Sequence, residues 1–363
     1  MKYIFVMCCI VVLTLVSASA QDKPASKASE PPKAATGIVP TFGAQFFGNY
    51  SYVINGTDGK DNNKFDMERV YFTMKAPLAD DWKFQVTTDI YRNAAAGSYY
   101  AGLSVRLKFA YLDYSAMQGL SVKFGMIPGV WSSTEETQWR YRGIDKTISD
   151  KYSYFSTADL GLSATYSLPN KLGEVAAYML NGDGFSAPEA NRFKDYSFRT
   201  TITPFGSVDM LKNFAVSGLY SVGAAGVKNT LQRDRYGALV GYSYSYVSVA
   251  AEYIVRKDAP SNPDTVKTGN AYSLVAEIKA PFADLQSKLS FLVRFDGVEP
   301  NVDKGGDMTH YLLAGIALKV TDKLTIAIDN QLLTCELNSL KRTTDNVLLN
   351  TDRRWFLHTI LNF

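Results

Sequence analysis

The stretch WKFQVTTDIY, residues 82–91, alternates between two kinds of side chain. One set is mostly apolar and consists of Trp82, Phe84, Val86, Thr88 and Ile90. The other is mostly polar and consists of Lys83, Gln85, Thr87, Asp89 and Tyr91. Side chains of a β-strand point alternately to opposite faces, so this pattern predicts a strand with one apolar and one polar face.

The same rhythm recurs along the chain, for example in YSFRTTI (196–202) and KLSFLVRFD (288–296). It predicts sixteen strands, at 42–53, 65–75, 82–92, 102–115, 120–127, 158–167, 174–181, 196–203, 213–223, 235–244, 246–256, 270–280, 288–297, 308–319, 324–333 and 353–363. Each boundary carries an error of about 2–4 residues, so the count could be about fourteen or eighteen. The fold class is therefore all-β.

Residues 1–20 have the features of a secretory signal peptide. Lys2 supplies a positive start, Ile4–Val16 is apolar, and Ala18-Ser19-Ala20 offers a cleavage site. Residues 21–40, rich in Pro, Ala and Lys, are predicted to be a flexible leader. After cleavage Cys335 is the one cysteine left, so no internal disulfide is possible.

The polar and apolar faces indicate strands that separate water from lipid. After residue 20 no apolar run is long enough for a spanning helix, and in lipid the alternative is a closed β-barrel. A soluble sandwich or propeller would also alternate, but the many long strands have no blade period. Short connections such as PLADD alternate with long polar ones, as in outer-membrane barrels. We therefore expect residues 41–363 to form a transmembrane antiparallel barrel in contact with outer-membrane lipid.

The C-terminal stretch RRWFLHTILNF (353–363) supports this interpretation. Trp355, Leu357, Thr359, Leu361 and Phe363 are predicted to face lipid on the strand that closes the barrel. The pattern resembles the signal that Gram-negative assembly machinery reads on outer-membrane proteins. A barrel of about sixteen strands leaves a water-filled lumen.

Charged side chains on the polar faces are predicted to line this lumen. The mid-height bases are Arg69, Arg106, Lys108, Lys123, Arg199 and Arg294, and the mid-height acids are Glu252 and Asp329. Four of the bases come from strands two, four and five, which share one wall. Rings of charge set ion selectivity in pores, so this distribution predicts a mild preference for anions. The alternative is that these charges merely solvate the lumen.

The longest connection, residues 128–157, is the third external loop if the first strand rises from the periplasm. A loop of this length is usually functional or disordered. Its aromatic residues, Trp131 among them, suggest that it packs against something, as in general porins whose third loop narrows the lumen. The residues predicted to form a constriction are Trp131, Glu135, Glu136, Arg140 and Arg142. The alternative is an exposed, mobile loop.

Several segments resemble porins of the phosphate-selective O/P group, in versions common in Bacteroidetes-type bacteria. They are FDMERVYFTMKAPLADDWKFQVTTDIY, LKFAYLDY, LSVKFGMIPGVW and YRGIDK…STADLGLSATY. The resemblance implies a homotrimer of sixteen-stranded barrels with an inward arginine ladder. Here the arginines are scattered, so what carries over is passive diffusion of small hydrophilic solutes or anions rather than phosphate specificity.

Other functions find less support in the sequence. A net charge of +3 argues against nucleic-acid binding. A hydrolase needs a nucleophile and a base; the two histidines are His310, predicted to face lipid, and His358, predicted to face the lumen. No cluster has metal-ligand spacing, and we expect no cofactor. An adhesin or structural barrel that binds partners through its polar loops stays open as an alternative.

Overall fold

The computed structural model describes residues 38–93, 102–189, 191–225, 231–259, 265–282, 284–286, 288–337, 339–343 and 345–363. The predicted signal peptide and the predicted leader up to residue 37 lie outside this part of the chain. The strands are β1 (Thr41–Asn55), β2 (Asn63–Pro77), β3 (Trp82–Asn93), β4 (Gly102–Met117), β5 (Leu120–Pro128), β6 (Ala158–Leu168), β7 (Gly173–Leu180), β8 (Asp195–Ile202), β9 (Ala215–Ala225), β10 (Leu231–Tyr244), β11 (Val247–Asp258), β12 (Lys267–Lys279), β13 (Leu289–Glu299), β14 (Thr309–Lys319), β15 (Leu324–Cys335), β16 (Leu340–Lys341), β17 (Leu348–Leu349) and β18 (Thr351–Asn362). The helical pieces are α1 (Ser132–Gln138), α2 (Ile148–Lys151) and a 3₁₀ turn at Pro169–Lys171.

Sixteen of these strands close into one antiparallel barrel, which confirms the predicted fold class. The ring follows chain order from β1 to β15, and β18 closes it between β15 and β1. The two-residue strands β16 and β17 form a separate sheet in the connection that precedes β18; the sequence did not predict them. A closed sheet has no free edge, so backbone donors and acceptors pair within the barrel.

The C-terminal stretch is the closing strand, as predicted. On β18, Ile360 lies opposite Phe47 of β1 and His358 lies opposite Asn49. Phe363 N donates to Ala44 O at 2.9 Å and extends the same ladder. Trp355 and Leu357 on the outward face are exposed.

Strand β13 shows how the two faces differ. Its inward residues Leu292, Arg294 and Asp296 are 1%, 1% and 0% exposed, whereas Phe291 and Val293 on the opposite face are 43% and 47% exposed. Apolar side chains thus cover the outside and charged ones lie inside. This is the reverse of a soluble core and the arrangement expected of a barrel in lipid.

The connections at the two ends of the barrel differ in length. Turns such as 78–81 and 320–323 are short, whereas those at the other end include 181–194 and the longest one, 129–157, between β5 and β6. We call residues 129–157 the lumen segment, for reasons given below. Within the described residues, no helix is both long and apolar enough to cross a membrane.

Candidate functional site in the barrel lumen

The lumen segment crosses the inside of the barrel. Trp131 packs beside Gly237 of β10, while Gly143 lies against Phe47 of β1 and Ile360 of β18. Strand β10 is seven places from β1 in the sixteen-strand ring, so these contacts are on nearly opposite walls. A segment that touches both walls of a closed barrel lies across its interior.

Close approach at Gly143 explains why a glycine stands there. A Cβ added at this position would lie 2.8 Å from Ile360 Cγ1 and 2.9 Å from Phe47 Cδ1. Any larger residue would push the segment off this wall or displace both side chains.

Trp131 is the apolar anchor of the segment. It is fully buried in a cluster that includes Ile127 from the end of β5 and Leu239 and Ile254 from the opposite wall. Its indole N–H donates to Glu252 Oε1. A buried tryptophan needs such a partner for its N–H, and here the wall supplies it.

Glu135, one turn along α1, is 2% exposed. It accepts hydrogen bonds from the backbone N–H of Ser149 at 3.0 Å and from the Ser149 hydroxyl. It lines a small cavity together with Glu252. Burial is the main cause that raises the pKa of Glu135, since charging it would place an anion in a dry site.

Arg294 forms the main ionic connection between wall and segment. Its guanidinium Nη2 lies 2.7 Å from Asp296 Oδ2 on the same strand, and Nη1 lies 3.6 Å from Asp145 Oδ2 in the segment. Lys151 Nζ lies 2.6 Å from the same Asp145 oxygen and 3.2 Å from the ring centre of Tyr311. Burial alone would raise the pKa of Asp145, but the two cations outweigh it and lower the pKa to about 2.

The other residues predicted to form a constriction, Glu136, Arg140 and Arg142, also form polar contacts of the lumen segment. Arg142 lies 3.0 Å from Asp150, 3.8 Å from Glu68 and 4.0 Å from Glu136. Arg140 lies 3.2 Å from Oε2 of Glu277 on β12, and Oε1 of the same carboxylate accepts from the Tyr141 hydroxyl. Ion pairs therefore fix the segment on both the β2 and the β12 side.

Two of the predicted bases, Arg69 on β2 and Arg106 on β4, converge on an acid that was not among the predicted site residues. Asp89 on β3 is 1% exposed and lies 2.9 Å from both Arg69 Nη1 and Arg106 Nε. Its polar-face position was visible in the alternation, but its two partners depend on the register between neighbouring strands. The wall is therefore of mixed charge at this height.

The remaining bases have different neighbours. Lys123 Nζ lies 3.3 Å from Asp113, which the prediction also omitted, and Lys108 Nζ donates to the Tyr71 hydroxyl at 3.3 Å. Arg199 bridges wall and segment, because its guanidinium donates to Thr134 on α1 and to Glu174 on β7.

The predicted acid Asp329 lies beside a histidine. Asp329 Oδ2 is 2.8 Å from His358 Nε2, and both residues are almost fully buried. The other histidine, His310, stacks on Phe295 with ring centres 5.9 Å apart. The sequence placed His358 on the inward face but could not identify its partner.

Two cavities of the lumen are lined by Ser133 of α1. The larger, about 910 Å³, has the bases Lys123, Arg140, Lys171, Arg199 and Lys212 and the acid Glu174 in its lining. We call it the basic chamber. The smaller, about 420 Å³, is lined by Lys75, Lys108 and Glu136. Lys171 and Lys212, which lie in the connections after β6 and β8, were missed because the prediction considered mid-height residues only.

The described part of the chain contains no group of side chains typical of a metal site. There, no three His, Cys, Asp or Glu side chains are grouped so that they could hold an ion.

Comparisons with known proteins relate the fold to porins. No protein-family model matches the sequence, and no curated protein matches it. The structure is similar to the anion-selective porin from Comamonas acidovorans, with a TM-score of 0.66 and 10% identity over 90% of this chain and 100% of that one. It is similar to the outer membrane channel DcaP of Acinetobacter baumannii, with a TM-score of 0.62 and 12% identity over 91% and 99% of the chains.

A third similar structure is OmpT, an outer membrane protein of Vibrio cholerae, in its trimer form. The TM-score is 0.59 with 11% identity over 90% of this chain and 99% of that one. At these identities the likeness concerns the fold: this chain has the sixteen-stranded barrel fold seen in outer-membrane porins.

Proposed function

We propose that the protein is an outer-membrane channel for passive diffusion of small hydrophilic solutes, with a mild preference for anions. The observation that carries the preference is the lining of the basic chamber, where five bases face one acid. Charged side chains at close quarters concentrate ions of opposite sign and set selectivity in a pore. The porin-like fold supports the channel itself.

The position of the bases supports a role in solute passage. Arg199 is buried and bonded to Thr134 and Glu174, so it is fixed in place. Lys212 is half exposed, and its Nζ lies 2.8 Å from the highly exposed Asp209. Such an exposed pair is screened by solvent, so Lys212 remains able to attract anions.

Trimer formation and kinship with the phosphate-selective O/P group belong to the same proposal. The sequence resemblance supports both, and the trimeric OmpT structure supports the first. If the basic chamber favours phosphate, phosphate added to a chloride solution reduces chloride conductance. If it favours anions in general, conductance follows anion mobility.

The pair of His358 and Asp329 does not support a hydrolytic function. His358 and Asp329 lie close together, but His358 is 1% exposed and Asp329 is 0% exposed. A general base must reach the proton that it abstracts from a substrate.

The experiment is single-channel recording on purified protein in a planar bilayer with a KCl gradient. We expect stepwise conductance and a reversal potential of the sign given by anion preference. A cation-selective reversal potential would overturn the anion preference. A bilayer that stays sealed would overturn the channel and favour a structural or adhesive barrel.

A further inference from the structure

Two carboxyl groups meet where the lumen segment packs on the barrel wall. Glu135 on α1 and Glu252 on β11 line the same small cavity. They are 2% and 9% exposed, respectively. Two carboxylates that face one small, dry cavity repel each other strongly when both are ionised, so their packing there favours a proton on the pair.

The surroundings offer little positive charge to replace that proton. The hydrogen-bond donors to the two carboxyl groups are neutral: the N–H and hydroxyl of Ser149 bond Glu135, and the indole of Trp131 bonds Glu252. Within the described residues, neither glutamate lies within 4.0 Å of a basic nitrogen.

Arg294 is the charged side chain that lines the same small cavity, and it is already engaged by Asp296 and Asp145. Lys151, on the far side of Asp145, is bonded to that acid. The remaining groups around the pair are uncharged and come from the segment and from β10, β11 and β12: Gln138, Trp139, Thr147, Ile148, Leu239, Ala250, Ser273 and Val275.

We propose that a proton shared between Glu135 and Glu252 holds the lumen segment against the wall, and that the segment is released when this proton is lost. Burial raises the pKa of Glu135, so the contribution of this proton to docking is fully present below the ordinary glutamate range. The stabilisation is lost as the pH rises through the raised value. The free cross-section of the lumen therefore depends on pH.

Tryptophan fluorescence tests release without any reference to conduction. The four tryptophans are Trp82, Trp131, Trp139 and Trp355. In a W82F/W355F background the remaining two, both buried, lie in the lumen segment. Acrylamide, an uncharged quencher, is added to this protein in detergent at a series of pH values from acid to alkaline. We expect quenching to increase severalfold as the pH rises.

The decisive variant is Glu252→Gln, which keeps a hydrogen-bond donor and removes the titrating charge. It is expected to abolish the pH dependence. The matched control is Glu277→Gln on the neighbouring strand β12: Glu277 is equally buried and also contacts the segment, but it has Arg140 as a cationic partner. The control is expected to keep the pH dependence. Flat quenching in the parent, or an unchanged rise in Glu252→Gln, would overturn the proposal.

If Glu252→Gln does not assemble, Glu135→Gln provides the same test. Infrared difference spectra of the unaltered protein give a further one. A protonated carboxyl band that disappears over the same pH range supports the shared proton, and its absence contradicts it.

Release of the segment can occur whether or not the protein is a channel, but an effect of pH on conductance rests on the proposed function. Single-channel recording over the same pH range therefore tests the two separately. If fluorescence shows release of the segment while the bilayer stays sealed at every pH, the role of the shared proton is supported and the proposed channel function is overturned.

Discussion

Arg294 on β13 and Asp145 in the lumen segment lie 3.6 Å apart, Nη1 to Oδ2, and this ion pair joins the barrel wall to the segment that crosses it. Lys151 and Asp296 complete the network. A buried pair of this kind is a weak source of net stability, but removal of one partner leaves an uncompensated buried charge. The network therefore fixes where the segment sits.

Docking of the lumen segment should persist in moderate acid and fail near pH 2. Lys151 and Arg294 lower the pKa of Asp145 from 3.8 to about 2. The ionised Asp145 therefore stabilises docking by a free energy on the order of 2 kcal/mol. This stabilisation is present above pH 3.8 and is lost as the pH falls through the lowered pKa. Acrylamide quenching in the W82F/W355F background measures this between pH 5 and strong acid. A release midpoint near 4, typical of an ordinary aspartate, would contradict the assignment.

Asp145→Asn is the variant for the same measurement. It removes the anion between Lys151 and Arg294, so the segment should already be more accessible at pH 5, and the acid transition should shrink. The fully exposed Asp322, in the turn after β14, serves as a control, because Asp322→Asn removes the same charge away from the segment.

Asp89→Asn should increase anion preference. Asp89 neutralises Arg69 and Arg106 together, at 2.9 Å from each, and asparagine keeps its size while removing its charge. The reversal potential in a KCl gradient should move further toward that of a chloride-selective pore. Asp322→Asn should move it less, since its charge lies at an exposed turn. An unchanged reversal potential in Asp89→Asn would show that this pair of arginines does not face permeating ions.

Trp131→Ala should release the segment without opening the barrel. Loss of a fully buried tryptophan costs about 3–5 kcal/mol. Because the strand ladder does not depend on Trp131, this loss lowers the free energy that holds the segment on the wall and leaves the barrel intact. Proteolysis of the purified protein should cut within residues 129–157, while circular dichroism should show that the β-sheet signal of the parent barrel is kept.

The control for that cut is Trp82→Ala, which removes a partly exposed indole stacked on Tyr114 on the outer face. It should leave the segment resistant. Equal protection in Trp131→Ala and the parent would contradict the role of Trp131 as an anchor.

Lys171→Glu combined with Lys212→Glu should abolish or reverse anion preference, since both residues line the basic chamber. Reversal potentials measure the effect. The matched control is Lys319→Glu combined with Lys323→Glu: these lysines flank the turn after β14, outside the chamber lining, and the substitutions change the net charge equally. A similar shift in both double variants would indicate a general surface effect instead.

The alternation of side chains was sufficient to predict the barrel and its strands. Each strand is a local pattern of period two, and Trp82 to Ile90 shows it in one line of sequence. The closing strand could be predicted for the same reason.

The charge pairs inside could not be predicted in this way. Asp89 meets Arg69 and Arg106 because β3 lies between β2 and β4 in a particular register, with a bulge beside Thr87. Likewise, Asp329 meets His358 across β15 and β18. Register is a property of two strands together, so alternation within one strand leaves it open.

The structure of the lumen segment could not be predicted from local sequence patterns either. Helix α1 has the sequence SSTEETQ, with no apolar periodicity, and it is held by tertiary contacts of its neighbour Trp131 and of Glu135. The aromatic residues of the segment predicted packing, but the wall that receives Trp131 is eighty residues or more away in sequence.

Liposome swelling measures whether dissolved solutes pass through the lumen. Proteoliposomes are diluted into isotonic solutions of an uncharged sugar, an organic anion and an organic cation of similar size. We expect swelling in the sugar, faster swelling in the anion and slower swelling in the cation. Vesicles that swell no faster than protein-free liposomes in all three solutions would contradict it.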